Sequence, residues 1–380
     1  FQAMKAVVYL FPLTIILLAS AGYSREFSQI GFGVLPSHIS SKVNEIPNYA
    51  DRKPMIGRST VKQKLDHFNR HGSRLWDQWF LHRKSRSQLP NGPVFLFIGG
   101  EGAADRNWLA NEGLPHVILA DRMNASIYLL EHRFYGNSRP TADISKRNLR
   151  YLSAKQAIED IKGFVDQVNK REGLNNPKWI AVGGSYSGSL AAWSREKSPR
   201  TIRAAVASSA PLLAKVDFSE GPGLYGRKNV IICELYTTAL NALEQARAWL
   251  YQNCNEFGHF ATSEDPNGIF GDTVPLNFFI ARCRDVFGAE YTKERILQNI
   301  AETNAYFGGN RNFKATDVIF PNGSDDPWFA LGVLEANGND VIFIDGTSHV
   351  ADMYPSRSSD PLSLRWAQQR IQQRLEEFMA

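Results

Sequence analysis

A run of small residues, Gly183-Gly184-Ser185-Tyr186-Ser187-Gly188, follows the apolar stretch Trp179-Ile180-Ala181-Val182 and precedes Leu190-Ala191-Ala192-Trp193. The first stretch reads as a buried strand and the last as part of a helix. A strand that turns at once into a helix leaves almost no space between the two. Residues two before and two after the turn must therefore be small. Gly183 and Ser187 meet that need, although Ser187 departs from a strict Gly-x-Ser-x-Gly spacing. Such a turn lifts the Ser185 hydroxyl out of the sheet, where it can act as a nucleophile. A glycine-serine turn of purely structural purpose fits the same six residues, so the rest of the chain must decide.

A nucleophilic serine needs a base and an acid. In the α/β-hydrolase order these follow the serine as acid, then histidine. Of eight histidines only His259 and His349 lie after Ser185. The apolar run 318–320 leads into Asn322-Gly323-Ser324-Asp325-Asp326-Pro327-Trp328, and the run 341–344 leads into Asp345-Gly346-Thr347-Ser348-His349. Ser185, Asp326 and His349 thus each sit just past an expected strand, where an α/β sheet opens its ligand crevice. His259 precedes Asp326 and has no such strand before it. Asp326 is preferred to Asp325 because Pro327 biases the residue before it towards extended backbone.

Further motifs occur in a fixed order. They are Lys64-Leu65-Asp66-His67-Phe68-Asn69, Gly92-Pro93-Val94-Phe95-Leu96 with Ile98-Gly99-Gly100-Glu101-Gly102, Glu131-His132-Arg133-Phe134-Tyr135-Gly136, Tyr151-Leu152-Ser153, Ser208-Ser209-Ala210-Pro211, Asp326-Pro327-Trp328 and Ser348-His349. In these segments the chain resembles the family of lysosomal Pro-X carboxypeptidase, dipeptidyl peptidase II and thymus-specific serine protease, most of all the thymus-specific branch. The resemblance implies an α/β-hydrolase fold, a triad of Ser185, Asp326 and His349, no cofactor or metal, and short proline-containing peptides as substrates. It leaves monomer and homodimer, and amino- and carboxyl-terminal cleavage, all open. It also implies a Cys254–Cys283 disulfide, leaving Cys233 as the odd one of three cysteines.

Composition sets the frame. At 380 residues the chain is long enough for one α/β domain with an insertion. The net charge of +5 comes from interspersed charges, which argues for a solvated surface and against nucleic acid as a partner. Met4-Lys5, the apolar run 6–18 and Ala19-Ser20-Ala21 read as a signal peptide over residues 1–21 rather than a membrane span, directing the protein to a secreted or lysosomal location. Residues 22–60 read as a loose arm, 61–213 and 313–380 as two parts of the hydrolase domain. Strands are expected at 94–98, 126–130, 179–182 and 204–207, with an amphipathic helix over 153–171. This alternation implies a mostly parallel sheet with helices on both faces. Residues 214–312 read as a helical cap without clear strands, with helices over 235–250 and 293–307. Measured against the resembled family, the cap is shortened.

Secondary site residues follow from these placements. The backbone N–H groups of Tyr186 and Gly100 are the expected oxyanion donors. Trp328 fits either a wall for a flat proline ring or core packing. Glu101 fits either an anchor for a substrate's amino terminus or a structural ion pair. Asn124 begins a glycosylation sequon, whereas the sequon at Asn322 abuts Asp326 and is expected to be hidden. The function expected is a serine exopeptidase acting after proline. An esterase, or a silent binding protein made so by the shortened cap, is the alternative.

Overall fold

The computed structural model describes residues 55–219, 240–264 and 273–379. The expected signal peptide, nearly all of the arm and Cys233 lie outside these residues. Eight strands form one sheet in the order β1 (Ile56–Lys64), β2 (Leu75–Arg83), β4 (Ser126–Leu130), β3 (Pro93–Ile98), β5 (Lys178–Gly184), β6 (Ala204–Ser208), β9 (Val318–Gly323), β10 (Asp340–Ile344). From β4 to β10 every neighbouring pair is parallel, while β1 and β2 add an antiparallel edge. This is an α/β-hydrolase sheet, as expected. It starts earlier than expected, because β1 begins at Ile56 inside the region read as a loose arm.

Successive residues of each inner strand point to opposite faces. Val94, Leu96, Trp179 and Ala181 enter one core with helices α2 (Ala154–Glu172) and α3 (Tyr186–Lys197). Phe95, Phe97, Ile180 and Val182 enter a second core with α1 (Pro115–Arg122) and α7 (Leu362–Met379). Burial on both faces explains why these strands read as continuous apolar runs. Helix α2 starts where Ser153 Oγ accepts the Gln156 N–H at 3.2 Å, and stops at Gly173 in the left-handed region with φ 65°.

Between β6 and β9 the chain makes one long excursion. It contains α4 (Leu240–Gln252), a π-helical turn (Asn253–Phe257), α5 (Leu276–Phe287) and α6 (Lys293–Phe307). It also contains two short strands, β7 (Lys215–Asp217) and β8 (Gly258–Phe260), paired in parallel. The expectation of a strandless cap is therefore corrected. Three-residue strands are too brief to leave a period in the sequence. Cys254 and Cys283 are joined by a disulfide between the π turn and α5, with Cα atoms 5.9 Å apart. Both are fully buried in a third core with Phe134, Tyr135, Leu149 and Leu152 of the main domain. Among the described residues no helix is long and apolar enough to cross a membrane.

Candidate active site

The turn after β5 is as sharp as the small residues demand. Ser185 has φ 58° and ψ −133°, a strained conformation for a residue with a side chain. A methyl group on Gly183 would lie 2.2 Å from the Ser187 carbonyl oxygen, so only glycine fits where strand and helix meet. Ser187 explains its own departure from glycine. Its Oγ accepts the Gly184 N–H at 3.0 Å and donates to the Gly184 carbonyl at 2.8 Å, clasping the turn. Helix α3 begins at Tyr186, so the Tyr186 N–H is among the first groups of the helix, which find no acceptor within it.

The imidazole is held by one carboxylate. His349 Nδ1 lies 3.0 Å from each oxygen of Asp326. Asp326 is fully buried, and its Oδ1 also accepts the Trp328 N–H at 2.9 Å. Donation from Nδ1 fixes the neutral ring with its basic nitrogen at Nε2. Asp325 is turned elsewhere: its N–H reaches the Thr347 carbonyl and its carboxylate accepts from Ser324 Oγ.

The His349 loop and the Ser185 turn touch through the end of β6. The Ser185 N–H donates to the Ser208 carbonyl at 2.9 Å, and the Val350 N–H donates to Ser209 Oγ at 2.9 Å. Gly184 faces Val350 and Met353 so closely that a methyl group there would lie 2.8 Å from Val350 Cγ1. Beneath them Ser208 Oγ donates to Asp352, whose carboxyl is pushed up to about 6, first by burial. The loop after β3 comes against the same turn, since a methyl group on Gly100 would stand 3.6 Å from Ser187 Cβ. Gly100 therefore borders the elbow, while Gly99 packs against the backbone of Leu130 to His132.

Trp328 is half-buried. Phe218 stacks on it at 5.1 Å, His259 meets it edge-on at 5.2 Å, and His349 lies 6.4 Å away. His259 sits in this aromatic cluster, its Nε2 bonded to the Leu213 carbonyl and its pKa lowered to about 4 by burial. Glu101 has no ion pair with any described residue, and its Oε1 is sealed from solvent with no hydrogen-bond partner among them. Burial pushes its carboxyl up to about 7, with the nearby His349 pulling the other way. Asn124 is exposed, with φ 52°. Asn322 is buried, with its amide on the Phe320 and Val333 carbonyls.

Sequence reasoning missed a polar network on the Tyr186 side chain. Tyr186 Oη lies 3.0 Å from His132 Nε2 and accepts from Gln252 Nε2 at 2.9 Å. His132 Nδ1 must donate to the Arg133 carbonyl, at 2.7 Å, so Nε2 accepts the Tyr186 hydroxyl proton. Burial keeps His132 neutral, with its pKa lowered to about 4. Tyr135 Oη donates to Gln252 Oε1, and Gln252 reaches Glu256, which takes the Ala154 N–H. Gln252 and Glu256 thereby tie the excursion to the residue after Ser185. The sequence trace of this is His132 and Tyr135, both inside one motif noted for its resemblance.

Fold and site together define a serine-type α/β-hydrolase. The chain belongs to the serine carboxypeptidase S28 family, whose pattern matches residues 63–223 and 226–371, and it is a serine peptidase. Mouse thymus-specific serine protease is 28% identical over 446 residues, covering 84% of this chain and 87% of the relative. The human thymus-specific serine protease is also 28% identical, over 453 residues, covering 86% and 87%. Human lysosomal Pro-X carboxypeptidase is 34% identical over a shorter stretch of 179 residues, covering 46% of this chain and 35% of the relative.

Proposed function

We propose that the protein is a serine exopeptidase that cleaves short peptides after proline through Ser185, His349 and Asp326. The observation that carries this reading is the buried Asp326 gripping His349 Nδ1 with both oxygens, in a loop packed on the Ser185 elbow. His349 takes the Ser185 hydroxyl proton as Oγ attacks the scissile carbonyl, and Asp326 stabilises the imidazolium. The Tyr186 and Gly100 N–H groups receive the oxyanion. His349 then passes the proton to the departing amine, leaving an acyl-enzyme, and water repeats the sequence to release the acyl group. Trp328, backed by Phe218 and His259, gives the flat apolar wall that a pyrrolidine ring fits. The family relatives, one of them lysosomal by name, support a secretory or lysosomal route.

A fluorophosphonate probe tests the nucleophile. The wild type should be labelled and Ser185→Ala should not; equal labelling of both removes the assignment. A panel of proline-containing peptides read by mass spectrometry tests the substrate class. Cleavage with no preference for proline sinks that part of the proposal.

A further inference from the structure

We infer that Ser208, Ser209 and Asp352 form a clasp that holds His349 in register with the Ser185 elbow, which makes Ser209 and Asp352 positioning residues for the reaction. The inference rests on the peptidase reading above and adds the device that keeps its three loops together. Its basis is where the polar groups of two adjacent buried residues go. The Ser208 carbonyl accepts the Ser185 N–H at 2.9 Å, on the turn of the proposed nucleophile. The Ser209 N–H donates to the Pro321 carbonyl at 2.8 Å, on the strand that leads to Asp326. Ser209 Oγ accepts the Val350 N–H at 2.9 Å, and Ser208 Oγ donates to Asp352, both on the turn that carries His349. One dipeptide at the end of β6 thus ties the backbone leading to or from each proposed reacting group.

Backbone strain gives the clasp its purpose. Ser185, Ser209 and Val350 have φ of 58°, 48° and 50°. None is a glycine and Val350 is β-branched, so each conformation persists only where neighbouring bonds over-determine it. Asp352 lies buried three residues after His349, in the turn that Val350 opens. From the far side Gln368 of α7 donates to the carbonyls of Asp352, at 3.2 Å, and Tyr354, at 2.8 Å. The turn is therefore gripped from β6 and from α7 together. A buried carboxyl that merely filled a polar gap in the core would leave the rate at His349 untouched by its loss.

The test reads rate apart from binding, on protein whose folded fraction is measured by thermal unfolding. Ser209→Ala and Asp352→Ala should each lower kcat and the rate of fluorophosphonate labelling about 10- to 100-fold, the scale for a misplacement of about 1 Å. KM should stay within about threefold, because the clasp acts on the reacting groups and not on substrate binding. Asp352→Asn, which still offers Ser208 an acceptor oxygen, should recover most of the rate. The Ser209→Ala, Asp352→Ala double variant should lose less than the product of the two single losses, since both act on one turn. Ser209→Ala deletes only a hydroxyl and carries the test alone if Asp352→Ala does not fold. Wild-type kcat in Ser209→Ala, a raised KM with kcat unchanged, or an Asp352→Asn variant no faster than Asp352→Ala overturns the inference and leaves the peptidase reading intact. A wild type that takes no label, or a Ser185→Ala variant that labels equally, removes the peptidase reading and the inference with it.

Discussion

Gly184 stands between Ser185 and His349, the proposed nucleophile and base, and replacing it with alanine measures how tightly the two are coupled. The added methyl would lie 2.5 Å from Met353 Sδ, 2.8 Å from Val350 Cγ1 and 3.5 Å from Val350 Cβ. Carbon contacts relax at roughly 3.5–4.0 Å, so about 1 Å must be found on each of the first two. The Met353 sulfur lies near the tip of an unbranched, flexible chain and yields. Val350 is β-branched, its φ of 50° is already strained, and its N–H is tied to Ser209 Oγ. The displacement therefore passes into the backbone next to His349. Overpacking of this kind costs about 1–3 kcal/mol, and a misplacement of about 1 Å lowers turnover about a hundredfold. Thermal unfolding gives the first quantity, and the rate of fluorophosphonate labelling or peptide turnover gives the second. Val350→Ala removes the obstructing methyl groups, so the double variant should recover most of the loss, a coupling that a double-mutant cycle reads directly. Wild-type rate and stability in Gly184→Ala, or a double variant no better than the single, would refute the reasoning.

Asp326→Asn should leave the fold unchanged and cut kcat by about four orders of magnitude, because an amide facing Nδ1 favours the wrong imidazole tautomer; a loss under tenfold speaks against Asp326 as the orienting group. Replacing Cys254 and Cys283 by serine opens a loop with a sequence separation of 29 and should cost about 3–4 kcal/mol in urea unfolding. Glu256 is raised to about 7 from an ordinary 4.5, chiefly by burial. Its folded form holds a proton that the unfolded form loses, so it costs stability increasingly as pH rises from about 4.5 to 7. Glu256→Gln should therefore gain roughly 2–3 kcal/mol against wild type at pH 8 compared with pH 5. Parallel curves for the two proteins across that window would contradict a buried, raised Glu256.

The parts of the fold that were legible in sequence are those where burial imposes a pattern. Strands β3 to β6, β9 and β10 are inner or parallel strands, and the apolar runs that mark them also mark the loops carrying Ser185, Asp326 and His349. Helix α2 declared itself by its three-four spacing, and α6 agrees with its expected span. Strands β1 and β2 escaped because an antiparallel edge alternates in burial, and polar residues such as Gln63, Gln78 and Asp77 break any apolar run. Gln63 and Gln78 are buried as a hydrogen-bonded pair, which composition alone reads as surface. Helix α5 turns only Leu276, Ile280, Cys283 and Phe287 inward, a narrow stripe inside a segment without other landmarks. The network around Tyr186 joins residues 54 and 66 positions apart, and no local period reports such a contact.

The excursion between β6 and β9 leaves from one strand and returns on its immediate neighbour, where Ala205 pairs with Val318. The free energy of closing a chain grows only with the logarithm of its length, about 0.6 kcal/mol for each doubling. Descendants of this scaffold are thus at liberty to lengthen or prune that segment while the reacting groups stay in register. Gln252 on the Tyr186 hydroxyl, Trp249 and Phe257 on the Tyr186 ring, and Phe218 and His259 on Trp328 are points through which a change in the excursion is felt beside the elbow. A change of length there reaches the elbow through side-chain contacts, while the register of the sheet is left as it is.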